Sequence, residues 1–434
     1  MRFFSHYFAQ EIAMSQQQLI RCYATQQAFH WFITGMLIPV LILIFQSREL
    51  SLTDIGLVMA VWIGTTTLLE IPLGSTADQF GRRKTYLLSL LLSMLGVLAL
   101  LFASTMTSVL ASAILLGAAR AVYSGTLVAW FYDAYQLSAG PLSYHDALAR
   151  INLMVTVGLA LGSLVGGGLP DVALHHHHWF ESKYDLNLIL IVASTGVLFM
   201  VTLTLIPSEA SPLNQQKPSQ QNSLISTCVQ ALNEAFRHDV LKRVMQTTLV
   251  FGVVLSSVEN LWQPYLANIM GDDTASTLIY GVISALYFLM AAAASWCSVK
   301  GLRWFCGSHR MLLLASRLSA GMVLLLMATT VQVASFSLAY LVFFFLFTLG
   351  ENSQMVLVND NTKAEFRSTM LSISSFVVTC GGMIASLGFG YLSDHFGISA
   401  SWSVAALLLV VSSFGFIRIP AQMSRTNGVV ESGR

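Results

Sequence analysis

The feature that most constrains this chain is a series of twelve continuously apolar stretches separated by short polar connections. They fall at approximately 24–46, 54–75, 84–104, 108–131, 150–169, 186–206, 244–266, 276–298, 308–330, 335–357, 368–390 and 399–419. A helix needs about 20 residues to cross the roughly 30 Å hydrocarbon core of a bilayer. In that medium every backbone N–H and C=O must be satisfied internally, so each stretch is expected to be a helix. Barrel strands are not expected, because the stretches lack the alternation of apolar and polar positions that a barrel requires. Only 10% of the residues are charged and 55% are hydrophobic, whereas about a quarter of a soluble domain is charged. The expected fold class is an all-α membrane protein with twelve transmembrane helices.

Twelve spans put both termini on one side. Of the 22 Lys and Arg residues, all but four fall on the side shared with the termini. Arg48 and Lys183 lie on the other side, and Arg120 and Arg317 fall within spans. This asymmetry places both termini in the cytoplasm. A net charge of +1 gives no reason to expect nucleic acid as a partner. The five cysteines, Cys22, Cys228, Cys297, Cys306 and Cys380, show no metal or redox spacing and are read as packing residues. The first twenty residues lack a basic region followed by an apolar core and a cleavage site, so no removable signal peptide is expected; Met1 or Met14 can be the start.

A polar connection over 207–243, with Pro207, Pro212 and Pro218 followed by Arg237, Lys242 and Arg243, divides the spans six and six. The expected organisation is a six-helix bundle over 1–206, a cytoplasmic linker over 207–243, a second six-helix bundle over 244–420 and a cytoplasmic tail over 421–434. Internal repetition supports the division. A slide of 223 residues places Gly158 on Gly381, Ser163 on Ser386, Gly167 on Gly390, Leu169 on Leu392 and Asp171 on Asp394, and a slide of 225 places Pro39 on Pro264. Repeats with an even number of spans share their orientation, so they are parallel repeats about an axis along the membrane normal.

Between the second and third spans runs EIPLGSTADQFGRRK, from Glu70 to Lys84. Charges this dense must lie at the membrane edge. Glu70, Gly74 and Asp78 recur every fourth position and so form one helical stripe. With Gly74, Asp78, Gly81, Arg82 and Arg83, this hairpin resembles the signature loop of the major facilitator superfamily, particularly its drug/proton antiporters. The resemblance extends over the whole chain in span number, central linker and repeat. Gln79 departs from it, since the family often has a basic residue there, and the equivalent loop near Lys300 and Arg303 is degenerate. The resemblance implies that Gly74, Asp78, Gly81, Arg82 and Arg83 form a conformational latch that holds one access state. Read from the residues alone, Arg82, Arg83 and Lys84 could equally fix topology while Asp78 neutralises them.

Ionisable groups inside the membrane are costly unless paired, neutralised or facing water. Glu70, about 12 Å along the helix from Asp78, is a candidate proton carrier or cation contact, or else a buried partner of Arg120. Arg120, within the fourth span, resembles an arginine to which the family's antiporters assign proton coupling; its spacing to Gly125 is one residue longer than the usual pattern. Glu259 completes the coupling candidates. Gly158, Gly162, Gly166 and Gly167 place small residues on one face of the fifth span, against which another helix can pack or slide. They resemble the antiporters' glycine-rich motif, with Ser163 standing where that motif has proline. The seventh span carries Asn260, Trp262, Gln263 and Tyr265 beside Pro264, which is expected to break the helix and expose backbone to a cavity. That mixture suits an amphiphilic or cationic substrate, or an interfacial anchor. His30, Glu351 and Asn352 are further cavity candidates, the last two with gating as the alternative. Arg317 is expected to snorkel along its stem to the surface. His175 to His178, with Asp171 and Glu181, are read as a hydrated loop rather than a metal site, because adjacent loop residues do not define a tetrahedron.

The chain has no GxxxxGK[ST] sequence, so an ion or substrate gradient is the expected energy source. No cofactor and no metal are expected, nor any enzymatic activity, since no nucleophile stands with a base. The expected function is secondary transport by alternating access, with protons as coupling ion and efflux of small organic compounds. Uptake or facilitated diffusion of a metabolite is the alternative, and a non-transporting sensor or scaffold a third reading. The expected setting is the lipid bilayer of a bacterial inner membrane, as a monomer.

Overall fold

The computed structural model of the protein describes residues 14–73, 77, 80–138, 140–175, 182–207, 238–271, 276–363 and 366–419. Among these the structure is helical, and twelve helical segments are long and apolar enough to span a membrane: Gln16–Gln46, Leu52–Glu70, Arg82–Leu101, Met106–Leu137, Tyr144–Leu174, Asp185–Leu205, Asp239–Met270, Leu278–Trp304, His309–Met327, Val333–Asp360, Thr369–Phe396 and Ile398–Arg418. They are numbered first to twelfth below. Several extend beyond their apolar stretch. The first begins at Gln16 because Ser15 caps it: the Ser15 hydroxyl accepts from the Gln18 amide, and the Gln18 side chain accepts from Ser15 N at 2.9 Å. Two orphan donors are thereby satisfied reciprocally, so the helix starts before its sequence turns apolar.

Three spans are interrupted. The first stops at Leu37 and resumes at Leu41, across Pro39, whose ring removes a helical hydrogen bond. In the fourth, the helix Met106–Tyr123 gives way at Gly125, which holds φ +71°, and restarts at Thr126. The tenth breaks at Gly350, between Leu349 and Glu351. Pro264, expected to break the seventh span, instead lies inside a continuous helix from Asp239 to Met270. Residues 260–266 are buried there, and this packing holds the helix through the lost hydrogen bond.

The chain forms two compact units. The first comprises Met1–Lys217 with Asn260–Leu289 and Ser386–Asp394, and the second Pro218–Glu259 with Met290–Ala385 and His395–Arg434. Within the first, a close helix seam joins the first and fifth spans. Ideal Cβ atoms on Gly158, Gly162 and Gly166 would lie 2.3, 2.1 and 2.2 Å from the carbonyl oxygens of Ala28, Phe32 and Met36. Backbone meets backbone along three turns, an approach that only glycine permits. A similar seam in the second unit brings Gly252 to the Val378 carbonyl and Gly381 to that of Leu249, at 2.2 and 2.3 Å for the same construction.

The seam predicts a steep size dependence. Gly162→Val should force the first and fifth spans apart and lower stability by about 1–3 kcal/mol or more, read as a lower melting midpoint in detergent, while Val157→Leu, on an exposed position of the same helix, should leave the midpoint unchanged.

Candidate functional site

Polar side chains from five spans converge in the first unit. His30, Trp31 and Thr34 of the first span, Trp62 of the second, Ser89 and Ser93 of the third, Arg120 and Tyr123 of the fourth and Thr195 of the sixth line a cavity of about 130 Å³. His30 is stacked on Tyr123 at 4.4 Å between ring centroids, and its Nδ1 is hydrogen-bonded to the Tyr86 hydroxyl at 2.9 Å. The Tyr123 hydroxyl donates to Gln27 Oε1 at 3.0 Å, and the Gln27 amide donates to Gln26 Oε1 at 2.8 Å. Such a connected network orients its members and makes rearrangement costly. Arg120 lines this cavity, where an ionised side chain within a span can avoid hydrocarbon.

Glu70 does not pair with Arg120. Its carboxylate accepts from the Ser124 hydroxyl at 2.6 Å, at the break that Gly125 makes in the fourth span. The end of one helix segment thus supplies the partner for a carboxylate on the neighbouring span. Of the hairpin residues, Gly74 and Asp78 lie outside the described residues. Gly81 adopts φ +88° immediately before the third span, a conformation that favours glycine. Arg82 forms an ion pair with Asp133 at 2.5 Å, and Arg83 donates to the Leu203 carbonyl at 2.8 Å, capping the end of the sixth span.

The polar cluster of the seventh span makes packing contacts. Asn260 donates to the Ser386 hydroxyl at 3.1 Å, Gln263 donates to the Ile38 carbonyl at 3.1 Å, and Trp262, 3% exposed, packs on Tyr280. The Ile38 carbonyl belongs to the break at Pro39. Glu259 is exposed on the same helix. None of these four lines the cavity of the first unit or that of the second. Asn352 donates to the Ser298 hydroxyl at 3.0 Å.

In the second unit a cavity of about 290 Å³ is lined by Phe251, Arg317, Glu351, Gln354, Met355, Val358, Leu371 and Ser374. Arg317 does not snorkel: it is 2% exposed. Its Nη1 donates to the Phe347 carbonyl, next to the break at Gly350, and its guanidinium lies 4.2 Å and 4.5 Å from the rings of Phe251 and Phe347. A local carbonyl and two aromatic faces hold the charge where the sequence suggests a route outward.

Two carboxylates join helices across the repeat within the first unit. Asp171, at the end of the fifth span, accepts from Thr277 N at 2.8 Å, Thr277 Oγ1 at 3.0 Å and the Ser276 hydroxyl at 2.5 Å. Asp394, at the end of the eleventh, accepts from Leu52 N at 3.1 Å, Thr53 N at 2.7 Å and Thr53 Oγ1 at 2.5 Å. Each satisfies the orphan N–H groups and favours the positive end of the helix it meets, the eighth and second spans respectively. Beside them Gly281 lies against the Ser163 carbonyl and Gly167, and Gly56 against the Ser386 carbonyl. These contacts can open without unravelling a helix, since water can satisfy both the carboxylate and the helix end. His175 Nδ1 is hydrogen-bonded to the Asp171 carbonyl at 2.8 Å; His176, His177, His178 and Glu181 lie outside the described residues.

The aromatic lining formed by Trp31, Trp62 and Tyr123 was not singled out from the sequence, and neither was the cavity position of Arg317. Any signal for the first was lost in a chain with 8 Trp and 13 Tyr. The capping role of Asp171 and Asp394 had a visible sign in their equal repeat positions.

The model of the Major Facilitator Superfamily matches residues 24–377. The uncharacterized MFS-type transporter YxaM of Bacillus subtilis is 20% identical over 391 residues, covering 89% of this chain and 92% of that one. In three dimensions the chain is similar to the nucleoside transporter NupG, with a TM-score of 0.74 and 15% identity over 92% of this chain and 98% of that one. It is also similar to a bacterial homologue of the human lysosomal transporter Spinster in an inward-facing, occupied conformation, with a TM-score of 0.70 and 12% identity over 92% and 95%.

The capping contacts predict that Asp171→Asn and Asp394→Asn each lower stability by about 1 kcal/mol, and that the double variant loses more than either alone. Thermal unfolding of the purified protein measures this; unchanged midpoints in both single variants would show that the carboxylates do not hold these helix ends.

Proposed function

Because the chain belongs to the Major Facilitator Superfamily and is a multi-pass transmembrane transporter, we propose that it works by alternating access and exports small organic compounds in exchange for protons. The observation that carries this reading is the pair of repeat-related carboxylate contacts at Asp171 and Asp394. Reversible closures of this kind, duplicated at equivalent positions, are what rocking of repeated helical elements requires. The cavity of the first unit supports a substrate contact there. Its indole and phenol rings offer apolar faces, while Arg120, His30 and Thr34 offer polar ones, a mixture suited to a small organic molecule.

Proton coupling is assigned to Glu70 and Arg120. Glu70 accepts a hydrogen bond from Ser124, and that contact can be exchanged when the carboxylate takes up a proton. Both groups flank the break at Gly125, where a local movement of the fourth span would act on both. The latch formed by Gly74, Asp78, Gly81, Arg82 and Arg83 is assigned to holding one access state. Asp78 stands in the frame Asp-x-Phe-Gly, as Asp394 does, and Asp394 caps a helix. Both termini are assigned to the cytoplasm and the protein to a bacterial inner membrane, on the distribution of Lys and Arg.

The test uses the purified chain in liposomes with an imposed pH gradient, screened with a panel of small organic compounds for substrate-induced proton movement. Glu70→Gln is expected to abolish proton movement while substrate exchange persists; transport of a compound without any proton movement in the native chain rejects coupling. Asp78→Asn is expected to reduce transport at least about tenfold with normal membrane insertion, and full transport by that variant removes the latch.

A further inference from the structure

The cavity of the second unit is the least explained feature of the molecule. A buried guanidinium is expensive unless its donors are satisfied. Arg317 uses Nη1 on the Phe347 carbonyl, but its Nη2 is buried without a hydrogen-bond partner. Glu351 lines the same cavity, one residue beyond the break at Gly350, yet no ion pair joins it to Arg317. Gln354 is oriented by its own bond to Thr248 Oγ1, at 2.9 Å. The rest of the lining is Phe251, Met355, Val358 and Leu371, with the Ser374 hydroxyl. The site therefore combines one unfilled cationic donor with an apolar wall, and has room for more than a single water.

The geometry points to Arg317 as the anchor for the carboxylate of a small, largely apolar organic acid, which enters this cavity together with one proton carried by Glu351. The inference goes beyond the transport reading above: an acid bound together with a proton on Glu351 is a co-binding site, separate from the exchange assigned to Glu70 and Arg120. The free Nη2 needs an anionic or strongly polar acceptor. The apolar wall selects an acid with an organic body over an inorganic anion, which would gain nothing from Phe251 or Leu371. The proton follows from the charge balance. Two ionised carboxylates facing one guanidinium in a low-dielectric cavity repel each other, so one must be neutral. With the ligand ionised on Arg317, that one is Glu351. Arg317 and Glu351 are the ionisable groups of the lining. Asp239, Lys242 and Arg243, His309 and Arg310, Asp360, Arg367, and Asp394 and His395 stand at the ends of the four helices that build it. Of these, His309 is bonded to Ser353 and Arg310 to the Ile419 carbonyl.

The experiment is calorimetric titration of the full chain in lipid nanodiscs with benzoate, at about pH 8 where the probe is ionised. Titrations in two buffers of different ionisation enthalpy count the protons taken up. Benzoate is expected to bind with uptake of about one proton, the neutral analogue benzamide not to bind, and chloride not to displace benzoate. Arg317→Gln should weaken benzoate at least about tenfold, with Arg317→Lys recovering part of the loss. Glu351→Gln should bind benzoate with no proton uptake. Absence of benzoate binding, equal binding of benzamide, equal competition by chloride, unchanged affinity in Arg317→Gln, or proton uptake that persists in Glu351→Gln would each overturn the inference. No gradient is involved, so failure here leaves the liposome test of coupled transport standing, and failure of coupled transport leaves an acid site at Arg317 intact.

Discussion

A backbone carbonyl released inside a membrane has no water to turn to, and the polar chemistry of this protein is arranged around that constraint. Wherever a span breaks, a side chain from another helix arrives. The break at Pro39 leaves the Ile38 carbonyl to Gln263, and the break at Gly350 leaves the Phe347 carbonyl to Arg317. At Gly125 the exposed helix end presents the Ser124 hydroxyl to Glu70. Helix termini follow the same rule. Arg48 donates to the carbonyls of Leu101 and Ala103, Arg83 to that of Leu203, and Arg310 to that of Ile419. These three arginines thus also serve as caps at the negative ends of helices.

These breaks are duplicated, and the duplication links fold to function. Gly125 and Gly350 are 225 residues apart, as are Gly56 and Gly281, and as are Pro39 and Pro264. Of the broken spans, the fourth and the tenth each carry or meet an arginine that lines a cavity in its own unit. The duplication is not exact in consequence. Pro39 interrupts its helix while Pro264 does not, and Arg120 stands exposed where Arg317 is buried between phenylalanine rings. One cavity has an aromatic, hydrogen-bonded lining and the other a buried arginine and a carboxylate.

Much of this was legible in the chain. The twelve spans follow from length and hydropathy, and the equal 223-residue spacing of Gly158 to Gly381 and of Asp171 to Asp394 is visible in the chain. Arg120 stood out because a charge in an apolar stretch needs a reason. The partners were harder. Glu70 and Arg120 are natural mates by charge, but Glu70 meets Ser124 because the turn at Gly125 brings that hydroxyl to it. Asn260, Trp262 and Gln263 have the composition of a binding site and instead pack against Ser386, Tyr280 and Ile38. Composition cannot distinguish a polar group that faces a cavity from one that satisfies a neighbour's backbone.

By itself the sequence determined the number of spans, their repeat and the residues that must avoid lipid, because the cost of placing charge or bare backbone in hydrocarbon is local and can be read along the chain. Tertiary structure alone decided which carbonyl each polar side chain serves, that Asp171 and Asp394 cap helices more than 100 residues away in either direction, and that Arg317 lines a cavity while its buried Nη2 has no hydrogen-bond partner. Those outcomes depend on the rotation and depth of one helix against another, which close packing of glycine faces sets to within a fraction of an ångström and which hydropathy along a single helix does not encode.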